Sequence, residues 1–348
     1  MFTLESSLNE VLADEFVAKH LSFLFPEEFV NVAPKDLWDM PVKELKSRLS
    51  MPWGVPYISE ELVRSANLVH EYAESDSYEF VKLWSSETPK DYFPASDGTK
   101  DSVCLIKYND TFKAGNKLAL VVPGGAYINV AIGSEGAETA GALVKAGYAV
   151  AILNYRVAPN RYPEPQKDLA LAIKTMRSLG KQHGCKDDLL VIGYSAGGHL
   201  VASESCYADE IDKALIEDLK KTQVKVFEKI GAFPAKADKV CLSYPVINCI
   251  FEHHNDSFVN LTGGDETLRD KMSIDLHVTS EYPKTFVWAC DDDDLVPPSN
   301  AWRMYDALKA AGVEAKLGRY PTGGHGCSVG TCTSAEGWVD EMLGFFEK

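Results

Sequence analysis

The sequence predicts an α/β fold in which a mostly parallel, twisted sheet is covered by helices on both faces. Three observations carry that prediction. From about residue 117 onward, short and almost wholly apolar runs alternate with helical patterns, which is how strands buried on both faces read. One of these runs, Leu189-Leu190-Val191-Ile192, breaks at Gly193 into Tyr194-Ser195-Ala196-Gly197-Gly198-His199 and then Leu200-Val201-Ala202. That is a strand, a tight turn presenting a serine, and the start of a helix. Finally, turns rich in Gly or Asp follow several of the apolar runs, at the carboxyl ends where a parallel sheet places ligands.

Residues 1–75 read as a mostly helical N-terminal extension. Leu8, Val11, Leu12, Phe16 and Leu21 form an approximate helical stripe, and Ser59-Glu60-Glu61-Leu62 opens another helix with an acidic first turn. Pro26, Pro34, Pro41, Pro52 and Pro56 interrupt the chain between them. The extension is expected to pack on a main domain spanning 76–348. There, Tyr78 to Trp84 and Ser102 to Tyr108 alternate or run apolar as strands do. Lys117 to Val122 is a buried strand ending in Pro123-Gly124-Gly125-Ala126-Tyr127. A helix from Ala137 to Ala146, a strand from Tyr148 to Leu153, a loop from Asn154 to Pro159 and a helix from Asp168 to Leu179 precede the strand that leads to Ser195.

Beyond the helix that follows Ser195, residues 208–236 are charged and amphipathic, with Ile211, Leu215, Leu219, Val226, Phe227 and Ile230 on one face. They read as a helical insertion. A strand from Lys239 to Tyr244 resumes the sheet, and Thr285 to Cys290 runs into Asp291-Asp292-Asp293-Asp294. A helix from Ser299 to Ala311 and a strand from Glu314 to Tyr320 lead to Pro321-Thr322-Gly323-Gly324-His325-Gly326, and a helix from Glu336 to Glu347 closes the chain.

Composition narrows the partners. A formal charge of -16 over 348 residues opposes nucleic acid or an anionic membrane, both of which need a basic face. No apolar run approaches the roughly 18 residues of a transmembrane helix. The first residues carry Glu5, Glu10, Asp14 and Glu15 with no basic start or apolar block, so no signal peptide and a cytoplasmic location are expected. The eight scattered cysteines then read as free thiols; Cys327 and Cys332 are close enough in sequence to bond, and that pairing stays open. The sequons at Asn109, Asn255 and Asn260 would be idle without secretion. Neither Gly-x-Gly-x-x-Gly nor a P-loop pattern occurs, so no nucleotide cofactor is expected. An oligomer is compatible with everything above.

Four signals therefore fall at strand ends: Gly124-Gly125-Ala126, Ser195, the Asp run and His325. Acyl transfer needs these parts. A serine hydroxyl is a weak nucleophile and needs a base within reach, which histidine supplies. The imidazole needs an acid to hold its tautomer. The developing oxyanion needs N–H donors, which a glycine-rich loop leaves open. The order Ser, Asp, His along the chain is that of the α/β-hydrolase arrangement. A metal site made from the Asp run with His253 and His254 competes, but hydrolysis has a complete metal-free explanation, so no metal is expected. His199, Arg156 and Asp168 read as structural.

From about Lys117 to Leu343 the chain resembles the α/β-hydrolase esterases of the acetylxylan-esterase and feruloyl-esterase-like group. The matching pieces are Pro-Gly-Gly-Ala-Tyr at 123–127, Asn-Tyr-Arg-Val-Ala-Pro at 154–159, Gly-Tyr-Ser-Ala-Gly-Gly-His at 193–199, Ser-Tyr-Pro-Val-Ile at 243–247, Asp-x-x-Val-Pro at 293–297 and Tyr-Pro-x-Gly-Gly-His-Gly at 320–326. The resemblance implies a serine esterase that removes short acyl groups, often acetyl, from sugars or small esters. It implies Ser195 as nucleophile, His325 as general base and Asp293, four residues before the Pro, as the orienting acid, with Asp292 and Asp294 as alternatives. The oxyanion donors would be backbone N–H groups of Gly125 or Ala126 together with Ala196. Ala126 stands where relatives commonly have a third Gly, and the 208–236 insertion and the N-terminal extension exceed the core pattern. Two other readings compete: a serine peptidase or amidase of the same fold, and a catalytically silent binding protein.

Overall fold

The computed structural model describes residues 1–14, 39–44, 63, 66–68, 70–72, 74–84, 100 and 103–348. The expected stripe residues Phe16 and Leu21, the helix opening at Ser59 and four of the five prolines lie outside the described residues. Within them, a short helix α1 (Leu8–Ala13) starts at Ser7. The Ser7 hydroxyl accepts from the Glu10 N–H while the Glu10 carboxylate accepts from the Ser7 N–H, a reciprocal cap for two otherwise orphaned donors.

Eight strands form one sheet in the order β1-β2-β4-β3-β5-β6-β7-β8. β1 (Tyr78–Lys82) and β2 (Cys104–Tyr108) pair antiparallel with each other, and β2 also runs antiparallel to β4. All remaining pairings are parallel: β3 (Leu118–Val122), β4 (Ala149–Asn154), β5 (Leu189–Tyr194), β6 (Lys239–Ser243), β7 (Lys284–Cys290) and β8 (Ala315–Tyr320). β3, β4 and β5 are buried at every position, which is why they read as unbroken apolar runs. β1 at the edge holds only exposed and half-buried residues.

Between the parallel strands run α2 (Glu138–Lys145), α3 (Glu164–His183) and α4 (Ser195–Cys206). α5 (Ala208–Thr222) and α6 (Val224–Ile230) occupy the 208–236 segment, with Ile211, Leu215 and Leu219 buried against the domain. α7 (Asn255–Thr262), α8 (Ser299–Ala310) and α9 (Trp338–Phe346) complete the set. α3 is longer than its sequence pattern indicates. It begins at Glu164 rather than Asp168, and Pro165 lies in its first turn, where a missing N–H costs nothing. α3 stops where Gly184 takes φ 71°, the usual left-handed helix exit. α7 lies in a stretch where the sequence shows no periodic element. Among the described residues, no helix is long and apolar enough to cross a membrane. All eight cysteines are unpaired, Cys327 and Cys332 included.

Two buried charged clusters sit within this frame. Arg156 and Asp168 are both fully buried and paired in a fork: Arg156 Nη2 and Nε donate to the two Asp168 oxygens at 2.8 and 2.9 Å. Asp168 also accepts from Trp84 Nε1 at 2.7 Å and from the Arg156 backbone N–H at 2.9 Å. Both oxygens of the carboxylate are thereby used, the condition under which a buried ion pair is tolerated, and the loop after β4 is locked to α3.

The second cluster is incomplete. Glu204, in the last turn of α4, is fully buried, and neither carboxylate oxygen has a hydrogen-bond partner among the described residues. Burial, reinforced by Asp212, pushes its carboxyl up to about 8. The folded state therefore keeps a proton that the unfolded chain releases near pH 4.5, and stability is lost as pH rises from about 4.5 to about 8. Replacing Glu204 with Gln is expected to leave urea stability at pH 5 nearly unchanged and to raise it on the order of 3 kcal/mol at pH 8.5. Equal differences at the two pH values would refute the assignment.

Candidate active site

The direction of the chain reverses about β3, which lies between β4 and β5, and such a switch point opens a crevice at the strand ends. Val122 pairs with Gly193 across β3 and β5. This register sets the turn after β3 beside the turn after β5. Ser195 therefore emerges next to Gly124.

The Ser195 turn requires its glycines. Ser195 itself takes φ 50°, a left-handed conformation that costs a side-chain-bearing residue about 1–2 kcal/mol. A Cβ on Gly197 would stand 2.3 Å from the Pro123 carbonyl oxygen and 2.4 Å from that of Val122, so only glycine lets α4 approach β3. The hydroxyl of Ser195 is 2.8 Å from His325 Nε2, and His325 Nδ1 is 2.8 Å from Asp293 Oδ2. The other oxygen of Asp293 accepts from the Leu295 and Val296 N–H groups at 3.1 and 2.9 Å. A carboxylate in that position can only accept, so the proton sits on Nδ1 and leaves Nε2 to accept from Ser195. Ser195 keeps 8% exposure.

The four consecutive aspartates part company. Asp293 is buried and meets His325, whereas Asp291, Asp292 and Asp294 are exposed. Asp291 pairs with Arg319, and Asp292 accepts from the Gly323 and Gly324 N–H groups, ordering the turn that carries His325. His254 caps α7 by accepting from the Ser257 N–H. Burial holds its imidazole below the ordinary histidine range, and it lies near enough to His325 and Asp293 to feel both charges. His253 accepts from Arg269. His199 is enclosed: its Nε2–H donates to the Met272 carbonyl and its Nδ1 accepts from the Tyr127 hydroxyl. Burial pushes it down to about 4, so it is a neutral structural bridge.

The loop after β3 has its carbonyls turned inward. The Pro123 oxygen accepts from Tyr155, that of Gly124 from the Ala131 N–H, that of Gly125 from Ile128 and Asn129, and that of Ala126 from the Asn260 amide. Gly125 at φ 128°, Ala126 at 52° and Tyr127 at 60° make this reversal possible. Among the described residues, the N–H groups of Gly125, Ala126 and Ala196 have no acceptor. Ala196 lies in the first turn of α4, where N–H groups have no intrahelical partner. Two of these N–H groups follow Gly124, which packs against Ser195, and the third follows Ser195 itself, whose hydroxyl is bonded to an oriented imidazole; acyl transfer needs these kinds of parts.

Two residues packed against these groups are given no role by the sequence, although Tyr244 lies in the matching piece at 243–247. Glu135, buried to 4% exposure, looks in sequence like an ordinary acidic residue before a helix, and Tyr244 like the last residue of a strand.

The BD-FAE family model matches residues 106–308, more than half of the chain. An acetylxylan esterase of Xylanibacter ruminicola is 27% identical over 246 residues, 68% of this chain and 45% of that one. Endo-1,4-beta-xylanase B of Butyrivibrio fibrisolvens is 26% identical over 253 residues, 71% of this chain and 38% of that one. The chain thus spans less than half the length of these curated relatives. Among solved structures, an acetyl ester-xyloside bifunctional hydrolase from Caldicellulosiruptor lactoaceticus superposes with a TM-score of 0.61 at 27% identity, covering 77% of this chain and 97% of that one. A carboxylesterase from Lactobacillus plantarum superposes with a TM-score of 0.59 at 20% identity, covering 78% and 96%, a likeness of fold alone.

Proposed function

Because the chain belongs to the BD-FAE family and has the α/β-hydrolase fold, we propose that it is a serine carboxylic-ester hydrolase that removes short acyl groups, acetyl above all, from sugars or small esters. The observation that carries this reading is the Ser195–His325–Asp293 hydrogen-bonded chain beside the open N–H groups of Gly125, Ala126 and Ala196. Ser195 Oγ attacks the ester carbonyl carbon while His325 Nε2 takes the hydroxyl proton. The carbonyl oxygen becomes an oxyanion held by the three N–H groups. Collapse of the tetrahedral species expels the alcohol, which receives the proton from His325, and leaves an acyl-enzyme. Water, deprotonated by His325, attacks the acyl carbon and releases the acid and Ser195. Asp293 fixes the imidazole tautomer throughout.

Two features support a short acyl group. Ala126 adds a methyl beside the donors, where a glycine would leave space. The names of two relatives, an acetylxylan esterase and an acetyl ester-xyloside hydrolase, point to acetyl groups on xylose-type sugars. The test is the hydrolysis of p-nitrophenyl acetate, butyrate and octanoate, with p-nitroacetanilide alongside. Acetate is expected to be fastest and the anilide slower by several orders of magnitude. Octanoate as the best substrate would refute the short-acyl assignment. An anilide cleaved as fast as the acetate would favour a peptidase or amidase, and turnover of none would favour a binding protein.

A further inference from the structure

Behind the loop that carries the open donors lies a buried carboxylate that the proposed reaction does not use. Glu135 sits in a widened turn, Ile132–Ala137, in which the Gly136 N–H donates to the Ala131 carbonyl five residues back, a geometry frequent at functional sites. Each of its oxygens is committed. The Gly124 N–H donates to Oε2 at 2.6 Å, and the Tyr244 hydroxyl donates to Oε1 at 2.9 Å.

Both partners lead directly to the site. A Cβ on Gly124 would stand 2.8 Å from Ser195 Cβ and 3.0 Å from Glu135 Oε2. Gly124 is thus pressed between the serine and the carboxylate, and the next two residues carry the open N–H groups. Tyr244 meets the imidazole of His325 edge to face, with ring centroids 4.9 Å apart at 63°. Its hydroxyl also accepts from the Ser328 N–H at 3.2 Å, three residues beyond His325. The Ser328 hydroxyl donates to the Ser134 carbonyl at 2.8 Å, so the turn bearing Glu135 grips the His325 loop a second time. Burial holds the Tyr244 hydroxyl well above the ordinary phenol range, so it keeps its proton and remains a donor.

We propose that Glu135 is a positioning residue for ester hydrolysis: its carboxylate clamps the Gly124 amide and the Tyr244 hydroxyl, and so holds the oxyanion donors and the His325 loop in one register. The inference rests on the ester-hydrolase reading above. Glu135 does not reach substrate, because Gly124 lies between it and Ser195. Its effect belongs to the transition state, since the oxyanion forms only as Ser195 attacks and displaced donors weaken that species more than the bound ester. A glutamine replaces it imperfectly: its one carbonyl oxygen can accept from the Gly124 N–H, but its NH2 can face Tyr244 only if that hydroxyl, which already accepts from the Ser328 N–H, turns its proton away and loses its acceptor.

The experiment measures p-nitrophenyl acetate kinetics and urea unfolding for wild type, Glu135→Gln, Tyr244→Phe, the double variant and Ser195→Ala. Glu135→Gln is expected to lower kcat about 100-fold with KM within about threefold of wild type, the cost of misplacing groups by a fraction of an ångström to 1 Å. Affinity for a boronic acid, which forms a tetrahedral adduct, should fall in parallel. Tyr244→Phe is expected to lower kcat about tenfold at unchanged KM. In the double variant the losses should be less than multiplicative, because the introduced amide then meets only the Gly124 donor. Folded Glu135→Gln protein with wild-type kcat, a loss confined to KM, or fully multiplicative losses would each overturn the clamp. Should Glu135→Gln fail to fold, Tyr244→Phe decides by the same criteria. Turnover lost in Ser195→Ala but retained in Glu135→Gln overturns the clamp alone; a wild type inert toward every ester overturns the hydrolase reading and the clamp with it.

Discussion

Replacing Ser195 with alanine is expected to lower kcat for p-nitrophenyl acetate by roughly 10⁵–10⁶-fold, the scale seen when the nucleophile of a serine triad is removed. The fold should survive. Alanine keeps the Cβ, so the φ of 50° at this position is neither relieved nor made worse, and only the hydroxyl bond to His325 disappears. A hydrogen bond of that kind contributes about 1 kcal/mol net to stability, so the urea midpoint should move little. The wild type should also show a burst of p-nitrophenol equal to the enzyme present, and the variant none. Retention of more than about one part in a hundred of kcat would mean that Ser195 is not the nucleophile.

Asp293→Asn is expected to lower kcat by about 10⁴-fold, and the reason lies in the surroundings of the carboxylate. One oxygen of Asp293 accepts from two backbone donors, Leu295 and Val296. An asparagine must keep its carbonyl oxygen there, because its NH2 would face both N–H groups. The NH2 is then forced toward His325 Nδ1, where it can only donate. The imidazole answers by carrying its proton on Nε2, which can no longer accept from Ser195. Stability should change by no more than about 1–2 kcal/mol, since the shape and the two backbone bonds are retained. Activity within tenfold of wild type would show that another group orients His325.

How much of this was legible without coordinates depends on whether the physics is local. Buried parallel strands read as apolar runs whatever surrounds them, so β3, β4, β5, β6 and β7 emerge within a residue or two of their observed bounds. The Ser195 turn also shows in the sequence as a spacing of glycines, although only Gly193 is required by the approach of β5 to α4, while Gly197 is required by the β3 end and Gly198 by Pro245. The antiparallel pairing of β1 and β2 is not legible, because short alternating runs carry no direction. Nor is α7, a helix of eight residues too short for periodicity to rise above noise.

Among the acidic residues the division is sharpest. Four adjacent aspartates are chemically identical, and neither charge nor composition separates Asp293 from its neighbours; only the bend after β7 buries one and exposes the other three. Glu135 and Glu204 look like the many solvated carboxylates of an acidic chain, yet both are buried, one with both oxygens committed and the other with none. The succession of strands and helices, the sharp serine turn and the residue types available for catalysis were written in the chain, because each follows from steric and hydrophobic demands within a few neighbouring residues. The resemblance singled out Asp293 and the N–H groups of Gly125, Ala126 and Ala196, but no local rule of the chain does; the burial of Asp293 against His325 and the contacts of Glu135 under the loop after β3 emerged only on folding. Burial and hydrogen-bond partners there are set by residues far apart in the chain, 32 positions for Asp293 and His325 and 109 for Glu135 and Tyr244.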